Sequence, residues 1–275
     1  MAINILYLNR VQNAGHYKIR LFGIKTECLM IFASCILLIL FSACASTLTE
    51  EDRNESEFHH KLGVSYLTSG QLNEAYVEFQ KALKLNTDNK DALKELGYIS
   101  TRFAKYDEAI SYYKQAISID PYFSEALNNL GVVYIEVENW DEAIRNFKAA
   151  LDNPIYSTPE KAYSSMGYAY YKKGDFSEAK DALEEALIRN PIFTPALYTL
   201  GLVHVELDDD TSAIAELKKV IGILPGHVDA HWELANAYLR VGNSTKALEH
   251  FTVVAENENN TPRSREASEY IDLFK

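Results

Sequence analysis

With 275 residues, 47% of them apolar and only 12 Gly and 7 Pro, the chain leans toward helix and away from turn-rich architectures. Its net charge of -12 is unevenly spread: residues 1–43 carry Arg10, Lys18, Arg20 and Lys25 against Glu27, which leaves 23 Lys and Arg against 38 Asp and Glu in the remainder. A surface so acidic excludes nucleic acid, whose phosphates need clustered cations, and opposes loose adsorption to anionic lipid.

The first element is an apolar run, CLMIFASCILLILFSACA at residues 28–45, preceded by positive charge and closed by Ser42 and Ala43. It reads as an export signal over residues 1–43 and not as part of the fold. Cys28, Cys35 and Cys44 all lie in this stretch, so neither a disulfide framework nor a Cys-based zinc site can belong to residues 46–275. Phe41-Ser42-Ala43-Cys44 resembles a bacterial lipobox, which implies cleavage before Cys44 and a lipid on its thiol. Ala45 behind it implies the periplasmic face of the outer membrane. An uncleaved anchor in the inner membrane is the alternative, since roughly 18 apolar residues just reach bilayer length, and simple secretion is the third. Residues 44–56 are polar and read as a tether that could span roughly 40 Å.

From residue 57 to 260 the chain repeats. Gly63, Gly97, Gly131, Gly167 and Gly201 recur at spacings of 34, 34, 36 and 34, and Ala235 takes the sixth place. Leu or Met stands before each. Twelve residues on comes Ala75, Ala109, Ala143, Ala179, Ala213 or Ala247, and sixteen on comes Phe79, Tyr113, Phe147, Leu183, Leu217 or Phe251. Nineteen on comes Ala82, Ala116, Ala150, Ala186, Val220 or Val254, and Pro121, Pro191 and Pro225 close three units. A Gly inside a helix costs about 1 kcal/mol relative to Ala, so its recurrence makes sense where a neighbouring helix packs against the bare backbone. Small side chains on the facing helix serve the same end, and the large apolar residue fills the space left. One such hairpin cannot bury its apolar face alone, so stability must come from stacking. Residues 261–275 then offer Thr261 as a cap, Pro262 at the first helical position, and Ala267, Ile271 and Phe274 on one face, the pattern of a capping helix.

This pattern of Leu-Gly, Tyr, Ala, Phe, Ala and Pro resembles the tetratricopeptide repeat. The resemblance implies an all-α fold: a right-handed α-solenoid of six helical hairpins plus the capping helix. It also implies that the first helix of each hairpin lines a concave surface, three residues before the Gly and one and four after it. Those positions hold Lys94, Asn128, Tyr198 and Trp232, then Tyr98, Val132, Tyr168 and Leu202, then Ile135, Tyr171, Val205 and Leu239. So apolar and aromatic a floor suits an extended or helical peptide with hydrophobic anchors; the bland alternative is that several of these side chains only pack between repeats.

Residues that could carry chemistry are few. There is no phosphate loop, no G-x-S-x-G and no H-E-x-x-H, and no cofactor or metal is expected. His227 and His231 stand four apart, but His231 occupies a core position and suits packing better than ligation. His59 and His60 are adjacent and diverge on a helix. Asp208-Asp209-Asp210 lacks the remaining ligands of a calcium loop and reads as a solvated turn. Two extra residues enter in Asn153-Pro154-Ile155-Tyr156-Ser157-Thr158-Pro159-Glu160, where Thr158 can cap and Pro159 can start a helix.

The run N-P-I-Y-S-T-P-E-K-A, followed by Asn190-Pro191-Ile192-Phe193-Thr194-Pro195-Ala196, resembles the type IV pilus biogenesis and stability lipoproteins, the pilotins. Membership of that family would imply a lipidated, non-enzymatic scaffold of about six repeats that helps an outer-membrane secretin ring to localise and assemble. Another envelope adaptor, for barrel assembly or cell-wall synthase activation, is the rival. A recognition arm of a glycosyltransferase-like enzyme is a third reading, for which the stretch after residue 260 is too short to supply a catalytic domain.

Overall fold

Thr49 opens the first helix with a reciprocal cap: its hydroxyl accepts from the Asp52 N–H at 3.0 Å, and the Asp52 carboxylate accepts from the Thr49 N–H at 3.2 Å. The computed structural model describes residues 48–258 and 260–274, so the export signal, the apolar run and Cys44 lie outside the described residues. From Thr49 onward the chain is one compact unit. Its helices pair in order as α1 (Glu50–Thr68) with α2 (Leu72–Leu85), α3 (Lys90–Arg102) with α4 (Tyr106–Ile119), and α5 (Ser124–Glu136) with α6 (Trp140–Leu151). Then come α7 (Pro159–Lys173) with α8 (Phe176–Arg189), α9 (Thr194–Glu206) with α10 (Asp210–Ile223), α11 (Val228–Arg240) with α12 (Ser244–Asn257), and the lone α13 (Pro262–Phe274). Among the described residues there is no strand.

The expected tether does not survive from Glu50 on, because residues 50–56 are the opening turns of α1. Besides the Thr49 cap, three acidic residues in the first turn favour the helix dipole. The buried Ser56 hydroxyl donates to the Ala82 carbonyl at 2.8 Å and accepts from Asn89 Nδ2 at 3.2 Å. Polar anchors thus tie this segment to the end of α2 and the start of α3, where the sequence read as a polar tether.

The repeat positions form the core. Every alanine twelve residues after the repeat glycine, and every large side chain sixteen after it, is at most 1% exposed. Glycine and large residue meet directly: a Cβ placed on Gly63, Gly97 or Gly131 would come within 2.6–2.8 Å of the ring of Phe79, Tyr113 or Phe147. At Gly167 and Gly201 the nearest atoms are Cγ of Leu183 and Leu217, at 2.5 and 2.8 Å. Contact this close is what bare backbone on the first helix permits.

Each hairpin turns through one residue of positive φ: Gly70, Ala104, Glu138, Gly174, Asp208 and Gly242. Three of these six are not glycine, and a left-handed conformation costs an L-residue about 1–2 kcal/mol. Ala104→Gly is therefore expected to raise stability by about 0.5–1 kcal/mol after the entropy of the unfolded glycine is deducted. Urea titration followed by helical circular dichroism checks it; an unchanged or lowered midpoint would show that the turn is not strained.

Each helix packs on its chain neighbours, and α3, α5, α7, α9 and α11 also touch in succession; the second helices make no comparable approach. The array therefore curls toward the first helices, which line its inner face. Ion pairs stitch successive hairpins, among them Lys173–Asp141 at 2.9 Å and Arg240–Asp210 at 2.6 Å. So exposed, they are worth about 0–1 kcal/mol each. At the end α13 starts at Pro262, with the Thr261 hydroxyl accepting from the Ser264 N–H at 3.0 Å. Ala267 is fully buried and Tyr270 stacks on Phe251 at 4.7 Å, whereas Phe274 stays 42% exposed.

Candidate functional site: the inner face

The front of the inner face is a groove of about 590 Å³ between α1, α3, α5, α7 and the longer join before α7. Lys94, Tyr98 and Asn128, expected from the repeat register, all line it. Tyr98 is 39% exposed and stands beside Val64 and Leu67 of α1. Lys94 is half-buried and bonded to Glu95 at 2.9 Å, with its ammonium 5.8 Å above the Phe123 ring. Asn128 is 8% exposed. Its Nδ2 donates at 3.4 Å to Asn129 Oδ1, and its own Oδ1 is buried with no hydrogen-bond partner.

Sequence reasoning missed Tyr156, Lys161 and the α1 contribution to this groove. Tyr156 is 9% exposed and belongs to the central core, and burial pushes its hydroxyl up. The signal was available: Asn153-Pro154-Ile155-Tyr156 repeats as Asn190-Pro191-Ile192-Phe193, and Phe123 closes the corresponding turn of Asp120-Pro121-Tyr122-Phe123. Phe123 and Phe193 directly precede their helices, but Tyr156 is followed by Ser157 and Thr158 before α7 begins. The two extra residues thus lie behind the aromatic, which keeps its inward seat while the backbone swings around the groove. Asn153 pins the join, donating from Nδ2 to the Tyr122 carbonyl at 3.0 Å. Thr158 precedes Pro159 as expected but makes no side-chain cap.

The remaining expected groove residues fall elsewhere on the same helices. Val132 and Ile135 of α5 pack against the central core, and Tyr171 of α7 packs against the next cluster. Tyr198, Trp232 and Leu239 pack against the last one. Trp232 meets Phe251 edge-on at 5.6 Å, which makes it a core partner. Tyr168 lies 6.5 Å from Tyr171, and Leu202 and Val205 are half-buried on α9. This rear half is acidic: burial raises the Glu233 carboxyl, and burial together with Glu233 and Asp229 raises the Tyr198 hydroxyl.

The histidines and aspartates are taken up structurally. His227 Nδ1 accepts from the Ala230 N–H at 3.2 Å and caps α11. His231 donates from Nε2 to the Pro225 carbonyl at 2.9 Å, so its Nδ1 is the acceptor for the His250 Nδ1–H, also at 2.9 Å. His59 bonds to Glu78 at 2.6 Å and His60 lies against Phe79. The Asp208-Asp209-Asp210 turn is not simply solvated, because Asp209 caps α10 at Ser212 and Asp210 receives Arg240. Among the described residues no three His, Cys, Asp or Glu stand together as a metal site.

Burial, the facing His231 and Lys246 push His250 down to about 4. Between that value and the ordinary 6.5, the unfolded chain binds a proton that the folded chain refuses. The stability from neutral His250 is therefore complete above about pH 6.5 and is lost as the pH falls toward 4. From pH 7 to pH 5 the protein is expected to lose about 1–2 kcal/mol more than His250→Phe does. Unfolding at a series of pH values checks this; parallel profiles would refute it.

The stacked hairpins and their inner groove define a helical-repeat scaffold. Profiles of the tetratricopeptide repeat family match residues 56–89, 103–153 and 164–228, together more than half of the chain. The chain belongs to the tetratricopeptide repeat family. Among solved structures it is similar to PilW, described as a widely conserved type IV pilus biogenesis factor, at 24% identity and a TM-score of 0.72 over 78% of this chain and 98% of PilW. It is similar to PilF of Pseudomonas aeruginosa at 16% identity and a TM-score of 0.73, over 80% and 99%. For MamA the figures are 27% and 0.54, over 64% and 98%. Among curated proteins, a probable UDP-N-acetylglucosamine–peptide N-acetylglucosaminyltransferase of Arabidopsis thaliana is 27% identical over 101 residues, 37% of this chain and 10% of its own. Tetratricopeptide repeat protein 8 of Mus musculus is 29% identical over 94 residues, 34% and 18%. The chain thus spans less than a fifth of either curated relative.

Proposed function

We propose that this protein is a lipid-anchored, non-enzymatic scaffold on the periplasmic face of the outer membrane, assisting assembly or stability of the type IV pilus secretin. The observation that carries this reading is the match to PilW and PilF over 98% and 99% of their chains, at TM-scores of 0.72 and 0.73. Cys44 behind its lipobox-like run supplies the anchor, and the inner face holds a partner segment with apolar anchors.

Deletion of the gene is expected to abolish the detergent-resistant secretin multimer and leave the secretin monomer. Intact multimers, with a set of co-purified partners lacking any secretin, would sink the proposal and point to another envelope complex. Cys44→Ala is expected to move the protein from the membrane to the soluble fraction without altering its helical circular dichroism, because two or three acyl chains hold far more strongly than one or none. Retention in the membrane would instead show an uncleaved apolar anchor.

A further inference from the structure

We infer that one edge of the array rests on a zwitterionic lipid surface: the edge at which the turns between hairpins thrust Tyr122, Ile155 and Ile192 into solvent. This rests on the lipid-anchor reading above and adds to it an orientation and a second membrane contact. The three middle joins are built alike. The side-chain oxygen of Asp120, Asn153 or Asn190 accepts from the N–H two residues on, at 3.1, 3.1 and 3.3 Å, with a proline between. Each turn sends its third residue outward and its fourth inward. Tyr122, Ile155 and Ile192 are 69%, 85% and 68% exposed, whereas Phe123 and Tyr156 are buried and Phe193 is half-buried. An apolar side chain so exposed gives the fold nothing, and the first and last joins do without one, with Asp88 and Gly226 in its place. Ile188, exposed in the last turn of α8, adds a fourth apolar residue at this end of the fourth hairpin.

What covers these tips follows from where the anchor leaves the array. In paired antiparallel helices every second helix ends, and every first helix begins, at one edge. That edge is also where α1 begins, since Ser56 meets both the end of α2 and Asn89 at the start of α3. The turns of α1 before Ser56, from Glu50 to Glu55, project about 9 Å beyond the edge. Residues 45–48 separate Thr49 from Cys44, a reach of at most about 18 Å. The opposite edge lies about 20 Å farther off, the length of a helix such as α3. A lipid on Cys44 thus keeps the edge bearing Tyr122, Ile155 and Ile192 next to the membrane, where tyrosine and large apolar side chains enter the interfacial layer. Separate tips suit a soft lipid surface better than a folded partner, which binds through a continuous covered area. Charge selects the lipid: Glu50, Glu51 and Asp52 open α1, Asp88 and Asp152 lie in the joins, and Lys90 is taken by Asp120. That acidic edge repels anionic headgroups and leaves a zwitterionic surface.

The test uses the lipidated full chain in a Cys28→Ser, Cys35→Ser background, purified from envelopes in detergent and reconstituted into phosphatidylcholine vesicles. An environment-sensitive dye is placed on Ile155→Cys, on Ile192→Cys or, at the opposite edge, on Lys172→Cys. Flotation with the vesicles reads the anchor, and quenching by lipids brominated near the headgroup end of the acyl chain reads the contact. Quenching is expected to be about threefold or more stronger at Ile155→Cys and Ile192→Cys than at Lys172→Cys. Tyr122→Ser together with Ile155→Ser should about halve the quenching at Ile192→Cys. The pair should leave the melting temperature unchanged, because both side chains stand clear of the core. Phosphatidylglycerol added at low salt should weaken the quenching. Equal quenching at both edges, quenching at Ile192→Cys that ignores the two serines, or quenching that rises with phosphatidylglycerol would each overturn the inference while flotation leaves the anchor standing. So would a dye at Ile155→Cys that lipid never quenches but added secretin shields, which would assign the edge to a protein. A chain that does not float would overturn the lipid-anchor reading, and this inference with it.

Discussion

Phe147→Ala is expected to lower the unfolding free energy by about 3–5 kcal/mol, the usual cost of emptying a large aromatic site in a packed core. The ring is fully buried, in a cluster that runs from α3 through α8. It also lies directly beneath Gly131, so neither helix of the third hairpin can supply a side chain to fill the void. A mid-array hairpin has neighbours on both sides, and in a stacked array a loss of internal packing weakens both interfaces. Urea titration with circular dichroism gives the magnitude, and hydrogen exchange should show protection lost first in α5 and α6. A loss below about 1 kcal/mol would mean that the hairpin closes over the gap and that the ring is not its wedge.

The complementary change, Gly131→Val, is expected to cost about 3 kcal/mol through overpacking. Even the first carbon of the new side chain would lie 2.6 Å from the Phe147 ring. The ring, itself without exposed surface, has nowhere to go. In a Phe147→Ala background the same substitution should cost far less, because the added methyls enter the space that the ring has left. Strict additivity of the two changes would show that Gly131 serves some purpose other than admitting Phe147. The last hairpin supplies the counterexample: Ala235 stands at the glycine position opposite Phe251, and both are fully buried. Among the described residues it is α13, a single helix, that packs on the outer side of this hairpin.

Spacing alone located the glycines and the alanines, and the buried set matches those positions down to Val220 and Val254. The inner face was less legible. The register placed Lys94, Tyr98 and Asn128 correctly as neighbours, because residues 34 apart on equivalent helices stack in space. It assigned Trp232 to the same surface by the same logic; there the indole is half-buried and meets Phe251 edge-on, a contact the spacing did not foretell. A position on a helix decides which way a side chain departs, not how far a neighbour lets it go.

By itself the sequence determined the hairpin number, the core and the class of architecture. Those features repeat, and each rests on contacts within one hairpin or with the next, so local pattern suffices to encode them. Only the tertiary structure decided that α1 begins at Glu50, through Ser56 reaching Ala82 across 26 residues of chain. It alone decided that Asn128 of the groove wall keeps a buried oxygen unpaired. These depend on how separate elements meet once packed, and a hydrogen bond is made or missed within a few tenths of an ångström, a margin that no periodicity specifies.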